Sequence, residues 1–132
     1  MNRVFLDANI LFSAAWRENA GLLRLWRLSD ITMLTSRYAF EEARRNPETQ
    51  EQLQRLATLM AKIEFVPDSA HGDLPSKVRL SEKDRPILLA AIRGHATYLL
   101  TGDKQHFGSL YGKSVTGVLI LRPADYPGFA ES

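Results

Sequence analysis

The chain has 132 residues, of which 45% are hydrophobic and 24% are charged, and its formal net charge is +2. These values predict one folded domain over residues 1–132 and exclude a disordered chain, and the lack of cysteine excludes disulfides and thiolate chemistry and fits a cytoplasmic protein. No membrane span is expected, because no apolar run reaches about 18 residues, and no signal peptide is expected, because the N-terminus has no basic region followed by a long apolar run.

The predicted elements alternate between strands and helices along the chain. Strands are predicted at residues 3–6, 31–35, 63–66, 97–100 and 118–121. Helices are predicted from residue 10, over 21–28, from the N-cap Ser36 to 45, from Pro47 to 63, and over 84–93. This order predicts an α/β fold of three α/β/α layers with a mostly parallel central sheet of four to five strands.

Two of the predicted strands run directly into an aspartate. Asp7 follows the apolar residues 4–6, and Asp103 follows residues 98–100 after the turn Thr101-Gly102. Ligands of open α/β sheets bind beyond the carboxyl ends of the strands, so both carboxylates are candidate site residues. The alternative is structural: Asp7 or Asn9 would cap the following helix, and Asp103 would be an ordinary turn residue.

Three further acidic residues lie near predicted helix starts. Glu41 has the spacing to pair with Arg44 or Arg45, whereas Glu42 lies nearer the apolar face of the same helix. Asp84 ends a Ser81-to-Asp84 segment that resembles a capping box, which accounts for it without a functional role. Each residue alone therefore has a local structural explanation.

Together the acidic residues indicate a cation site. Two carboxylates about 4 Å apart repel each other by about 4 kcal/mol at an effective dielectric of about 20, so their convergence requires a proton or a bound cation. Oxygen ligands of this kind suit Mg²⁺ or Mn²⁺. The three histidines show no metal-ligand spacing, and solvated or locally bonded side chains are expected at His71, His95 and His106.

The order of these motifs resembles that of PIN domains, including toxins of the virulence-associated protein C type. The matching segments are Val4 to Leu11, Thr35-Ser36 followed by Glu42, Asp84 followed by Ile87 to Ala91, Tyr98 to Lys104, and Gly117 to Tyr126. The resemblance spans nearly the whole chain. It implies a parallel-sheet α/β/α fold and a metal-dependent ribonuclease.

The resemblance also implies roles for individual residues. Carried over by position, the acidic site that binds Mg²⁺ or Mn²⁺ consists of Asp7, Glu42, Asp84 and Asp103, and the supporting residues are Asn9, Ser36 and Thr101. Many family members have a further acid just after the last aspartate, where this chain has Lys104 to Phe107, so His106 is a candidate to contribute there. Candidates to bind flanking phosphates are Lys104, Arg44 and Arg45, with solvated surface charge as the alternative.

The predicted function is hydrolysis of RNA phosphodiester bonds by the toxin of a type II toxin–antitoxin pair. RNA, an antitoxin protein and a second copy of the chain are the expected partners. Two alternatives remain: a catalytically inactive PIN scaffold that binds RNA or a protein, and a DNA-directed nuclease of related fold. An apolar group at Trp16, Leu22, Leu23, Leu25 and Trp26 is expected in the core, or in part at a dimer surface or antitoxin groove.

Overall fold

The computed structural model of the protein describes residues 2–69, 72 and 74–129. The strands are β1 (Asn2–Leu6), β2 (Ile31–Ser36), β3 (Glu64–Val66), β4 (Tyr98–Leu100), β5 (Ser114–Val115) and β6 (Val118–Leu121). The α-helices are α1 (Ala8–Ala15), α2 (Arg37–Arg44), α3 (Gln50–Met60), α4 (Arg85–Arg93) and α5 (Lys104–Phe107). Short 3₁₀ segments occupy Gly21–Arg27, Gly108–Leu110 and Pro123–Asp125. None of the helices in these ranges is long and apolar enough to cross a membrane.

The strands form one mixed sheet in the order β3-β2-β1-β4-β6-β5. All pairs are parallel except β5 with β6, so the predicted α/β fold with a mostly parallel sheet is confirmed. The predicted count of four to five strands was too low, because it omitted β5. This two-residue strand returns through Thr116 and Gly117, both with positive φ, which is the backbone of a two-residue hairpin turn.

The sheet is covered by helices on both faces, which explains the apolar runs at the centre of its middle strands. Val4 and Leu6 of β1 pack on one side with α1 and α3. Phe5, between them, packs on the other side with α4. Successive side chains of a strand point to opposite faces, so a continuous apolar run fills two cores.

Several predicted helix boundaries were wrong, and the capping residues explain why. The first helix begins at Ala8 rather than Ile10, because Asp7 rather than Asn9 is its N-cap. The third helix does not start at Pro47; Thr49 and Gln52 form a reciprocal capping box, so the helix begins after Thr49. The segment after Gly21 is a 3₁₀ helix rather than an α-helix.

The N-terminal apolar group divides between the core and the surface. Leu25 and Trp26 are buried, and the Trp26 indole donates a hydrogen bond to the Leu59 carbonyl at 3.1 Å. Leu22 and Leu23 are partly buried against the same core. Trp16, in contrast, is 40% exposed. The core interpretation therefore holds for most of the group but not for Trp16.

The position of the strand-end crevice follows from the strand order. The chain runs outward from β1 through β2 to β3, and the later strands β4 and β6 lie on the other side of β1. The strand order therefore reverses between β1 and β4, which pair with Leu6 opposite Leu100. The residues that follow these two strands consequently emerge side by side, at the place where ligands of such sheets bind.

Candidate metal centre

Asp7 lies at the end of β1 with its carboxylate almost fully buried. Its Oδ1 accepts a hydrogen bond from the Ala8 amide at 2.7 Å, so the residue caps α1. Its Oδ2 accepts from the Thr101 hydroxyl at 2.8 Å and from the Asn9 amide group at 3.3 Å. Capping thus uses one oxygen, and the other lies on the side of β4.

Asn9 and Thr101 join the ends of β1 and β4. The Asn9 amide group donates to the Thr101 hydroxyl at 3.3 Å, and its carbonyl oxygen accepts from the Gly102 amide at 2.8 Å. The Thr101 hydroxyl also accepts from the Asp103 amide at 3.1 Å. Asn9 and Thr101 therefore orient Asp7 and shape the loop that carries Asp103, as their predicted supporting position requires.

Asp103 sits at the start of α5, where it is partly exposed. Its Oδ1 accepts from the His106 backbone amide at 3.1 Å, and its Oδ2 lies 2.5 Å from His106 Nδ1. The same ring nitrogen lies 3.7 Å from Asp84 Oδ2. The hydrogen bond to Asp103, reinforced by the charges of both carboxylates, raises the pKa of His106. His106 is thus locally bonded, as the sequence predicts, and lies between two predicted site residues.

Asp84 lies just before α4 and is buried, although it does not act as a cap. Its side chain accepts no capping hydrogen bond from the helix. Instead its Oδ2 accepts from the Ser81 hydroxyl at 2.7 Å. The resemblance of Ser81 to Asp84 to a capping box was therefore misleading, and the structural explanation for Asp84 loses its main support.

Glu42 and Glu41 are neighbours on α2 with different surroundings. Ser36 caps this helix by accepting from the Ala39 amide at 3.2 Å. Glu41 pairs with Arg44 at 2.6 Å and with Arg37 at 3.7 Å. Glu42 forms no ion pair within the described part of the chain, and its charge raises the pKa of Asp7. The structure therefore separates a surface-paired carboxylate from one that acts on the strand-end site.

The electrostatics of Asp7 reflect this convergence. The pKa of Asp7 is raised from its usual 3.8 to about 6; burial is the largest cause, the hydrogen bonds from Thr101 and Ala8 oppose the shift, and the charges of Glu42 and Asp84 add to it. A buried carboxylate with a raised pKa beside other acids is typical of functional sites. Asp7, Glu42 and Asp84 are thus electrostatically linked, and Asp84 and Asp103 both act on His106.

The predicted phosphate-binding cations are placed unequally. Arg44 is engaged by Glu41, in line with the surface-charge alternative. Arg45 lines a cavity of about 780 Å³ together with Glu42, Tyr38 and Lys83. Lys104 is exposed on α5, directly after Asp103. Arg45 and Lys104 therefore flank the acidic group, whereas Arg44 is tied to the surface of α2.

Sequence reasoning missed two side chains next to the site. The Tyr111 hydroxyl donates to the Thr101 carbonyl at 2.9 Å, and the Tyr38 hydroxyl donates to the Lys83 carbonyl at 2.7 Å. Burial raises the pKa of both phenols. The position of Tyr111 in the sequence, ten residues after Thr101, does not predict this contact, because α5 and the following 3₁₀ turn bring its side chain back to the end of β4.

The donor set fits a hard divalent cation. Asp84, Asp103 and His106 can each offer one ligand atom, and these atoms all lie within 4.8 Å of one another. Carboxylate oxygens suit Mg²⁺ and Mn²⁺. Asp7 and Glu42 lie outside this compact group, but the charges of Asp84 and Glu42 both raise the pKa of Asp7. His71, which was expected to be solvated or locally bonded, lies outside the described residues.

Comparison with known proteins gives matches to one family. The family model described as PIN domain matches residues 3–105. Among solved structures, the chain is similar to VapBC2 from Rickettsia felis bound to a DNA fragment from their promoter, with 18% identity, a TM-score of 0.68, and 91% of this chain and 98% of that chain covered. It is also similar to Mycobacterium tuberculosis VapC20, a Sarcin-Ricin loop cleaving toxin, with 15% identity, a TM-score of 0.53, and 76% of this chain and 91% of that chain covered. No match was found among curated protein sequences.

Proposed function

Because the chain belongs to the PIN domain family, we propose that it is a metal-dependent endoribonuclease that hydrolyses RNA phosphodiester bonds. The observation that carries this proposal is the compact group of Asp84, Asp103 and His106 beside the buried Asp7. Acidic side chains at a strand-end crevice, flanked by cations, suit a phosphate ester and a divalent ion.

In this proposal the four acids hold Mg²⁺ or Mn²⁺, and His106 takes the position where many relatives have a further acid. When bound, such an ion lowers the pKa of a water and withdraws charge from a phosphoryl oxygen. Thr101 and Asn9 keep the Asp7 carboxylate in one orientation through their hydrogen bonds. Ser81 does the same for Asp84.

The remaining steps fall to side chains at the rim. Glu42 or Asp84 accepts the proton of the attacking water, since each is a carboxylate close to the strand-end crevice. Arg45, which lines the cavity with Glu42, and Lys104, which follows Asp103, contact the phosphates that flank the scissile bond. The deprotonated water would attack the phosphorus in line, the bond from phosphorus to the leaving ribose oxygen would break, and that oxygen would take a proton from solvent.

The test is cleavage of a single-stranded RNA with Mn²⁺ or Mg²⁺ by the wild type and by Asp7→Asn and Asp103→Asn variants. Two matched controls are available on the surface: Glu41→Gln, next to Glu42, and Asp125→Asn, a carboxylate that also bonds a partner three residues away. We expect cleavage to be lost only in the site variants. Equal activity in all five proteins, or activity that survives EDTA, would refute the assignment.

We further propose that the protein acts as the toxin of a toxin–antitoxin pair and assembles as a homodimer. The likeness in fold to VapBC2 and to the toxin VapC20 supports this role. Induced expression should arrest bacterial growth, and co-expression of a small DNA-binding protein encoded next to the gene should relieve the arrest. An Asp7→Asn protein that arrests growth equally would separate toxicity from nuclease chemistry.

The inactive scaffold and the DNA-directed nuclease are distinguished by two measurements. A scaffold has no need of the ion, so calorimetric titration with Mn²⁺ would show no binding that depends on Asp84 and Asp103. A DNA-directed enzyme would cut a DNA strand of the same sequence faster than the RNA. Burial of Asp7 and Asp84 favours the enzyme, because burying charge without a compensating cation is costly.

A further inference from the structure

An open groove with aromatic walls lies beside the acidic centre. It is bounded by α1, the turn after β4 and the segment after β6, and it has a volume of about 840 Å³, within the range of ligand-binding pockets. We call it the aromatic groove, and the aromatic and cationic side chains that line it and bear on ligand binding are Phe12, Trp16, Arg17, Lys104, Tyr111 and Arg122. None of these residues has a part in the ligand group of Asp84, Asp103 and His106.

Trp16 presents a large aromatic ring in this groove. The side chain is 40% exposed, whereas Trp26 is buried in the core. Its ring contacts Phe12 edge to face, with centroids 5.2 Å apart and planes at 63°. Its backbone carbonyl accepts hydrogen bonds from Gln52 at 3.1 Å and from Arg55 at 2.8 Å, which hold this end of α1 in place. A supported but uncovered indole provides a surface for stacking.

The charge of the groove is positive. Arg17, Lys104 and Arg122 lie along it, and no carboxylate is among its lining residues in the described part of the chain. Arg122 pairs with Asp125 at 2.9 Å, but within the described ranges Arg17 and Lys104 form no ion pair. Cations interspersed with accessible aromatic rings suit the phosphates and bases of a single-stranded nucleic acid.

The groove adjoins the acidic centre through residues that neighbour Asp103 and Thr101. Lys104 directly follows Asp103, and Tyr111 bonds through its hydroxyl to the carbonyl of Thr101, whose own hydroxyl bonds Asp7. An RNA strand bound for cleavage at the acidic centre would therefore place the nucleotides next to the cleaved bond in the groove.

We propose that the aromatic groove binds single-stranded RNA next to the cleavage site, with a nucleobase stacked on Trp16 and flanking phosphates bound by Arg17 and Lys104. This inference rests on the proposed ribonuclease function and names how that site holds its substrate. Every base has a π-face, so stacking of this kind contributes affinity with little sequence preference.

Binding is measured by fluorescence anisotropy with a labelled oligouridylate of about 12 nucleotides, within the site sizes of single-strand binders. EDTA prevents cleavage during the measurement. A second oligonucleotide with the same number of phosphates but abasic sugars separates stacking from charge. We expect Trp16→Ala to weaken binding of the oligouridylate about fivefold or more and to leave the abasic strand unaffected. Trp16→Phe should retain most of the affinity, and Trp16→Leu should not.

The cations should behave differently. Arg17→Gln should weaken both strands and reduce the slope of log K against log salt by about 0.7, as expected for one lost phosphate contact on a single strand. Trp16→Ala should leave that slope unchanged. Two control variants outside the groove should leave RNA binding unchanged. Lys62→Gln matches the charge change of Arg17→Gln. Phe65→Ala matches Trp16→Ala, because Phe65 is a 45% exposed ring with an edge contact to Phe40.

Three outcomes would overturn the inference: equal binding by Trp16→Ala and wild type, equal losses on both strands, or full affinity in Trp16→Leu. So would a change of oligomeric state in Trp16→Ala by light scattering with RNA binding intact, because the groove would then be a protein interface. Cleavage is assayed separately with Mn²⁺. A wild type that binds as expected but never cuts would refute only the proposed function, and one that cuts without using Trp16 would refute only this inference.

Discussion

Asp7 and Asp103 occupy equivalent places at the ends of neighbouring parallel strands, yet their surroundings differ. Asp7 is 6% exposed and accepts hydrogen bonds from Ala8, Asn9 and Thr101. The Asp103 side chain is 26% exposed, and its bonds within the described ranges go to the amide and ring of His106 in the short helix that it caps.

The difference shows how one motif supplies two kinds of carboxylate. Asp7 is fixed by the core, because α1 and the end of β4 both depend on its hydrogen bonds. Asp103 belongs to a rim that can adjust, since α5 has only four residues. We infer that the buried carboxylate sets the position of the site and that the rim carboxylate adapts to ion and substrate.

The largest expected effect is on cleavage by Asp7→Asn. If the Asp7 carboxylate stabilises the transition state by several kcal/mol, its loss should lower kcat/KM on the order of 100- to 1,000-fold. Asp103→Asn should cost about tenfold less, because Asp84 and His106 remain in place and the rim can adjust. Steady-state cleavage of a labelled RNA measures both variants, and equal losses would break the distinction between a fixed and an adaptable carboxylate.

The raised pKa of Asp7 predicts a distinct pH dependence of stability without metal. Between about pH 4 and 6 the unfolded Asp7 has lost its proton while the buried one keeps it, so its contribution to the free energy of unfolding falls as the pH rises. The rise of the pKa from 3.8 to about 6 corresponds to a loss of about 3 kcal/mol from the free energy of unfolding. This loss is complete above about pH 6.

Urea unfolding in EDTA across this range, for wild type and Asp7→Asn, measures the effect. The stability of the variant relative to the wild type should rise with pH between about 4 and 6 and then level off. Asp103→Asn serves as the control from the rim. A constant difference between wild type and Asp7→Asn across the window would show that burial does not set the pKa of Asp7.

Removal of the Thr101 hydroxyl tests how far the hydrogen bonds to Asp7 matter. Thr101 is fully buried and donates to Asp7 Oδ2. We expect Thr101→Val to weaken Mn²⁺ binding about 10- to 100-fold in calorimetric titration, as for other groups that orient a ligand. Thr101→Ser, which keeps the hydroxyl, should bind nearly as well as wild type, and a similar loss in both variants would point to packing instead.

The smallest expected effect separates Arg44, the last residue of α2, from Arg45, its C-cap. Arg45→Gln should weaken binding of single-stranded RNA about threefold, since Arg45 lines the cavity beside Glu42. Arg44→Gln should change it less than twofold, because Arg44 is held by Glu41. Anisotropy titrations in EDTA resolve the two, and the reverse order would place the RNA path elsewhere on α2.

Most of the layered fold could be predicted from local patterns. Apolar runs separated by helical periodicity indicate buried parallel strands, and Ser36 marks the start of α2 through its capping hydroxyl. The missed elements, β5 and α5, are two and four residues long, too short for a periodic signal. The start of α3 was predicted too early, because proline is common in the first turn of a helix and Pro47 fitted that role, whereas the helix is capped by Thr49 and Gln52.

The candidate site divides in the same way. The chain by itself determined which carboxylates follow strands or begin helices, because these positions depend on local propensity. Only the tertiary structure decided that Glu41 pairs at the surface while Glu42 acts on Asp7, that Asp84 is bonded by Ser81 rather than capping, and that His106 lies between two acids.

The reason is physical. Capping and periodicity act over three or four residues and can be predicted from neighbours in the sequence. Burial, pKa and convergence depend on residues about 90 positions apart, such as Asp7 and Thr101, that meet only once the sheet has assembled in its order. The same applies to Trp16, whose spacing is that of a core residue and whose exposure beside Lys104 is set by the packing of α1 against the rest of the fold.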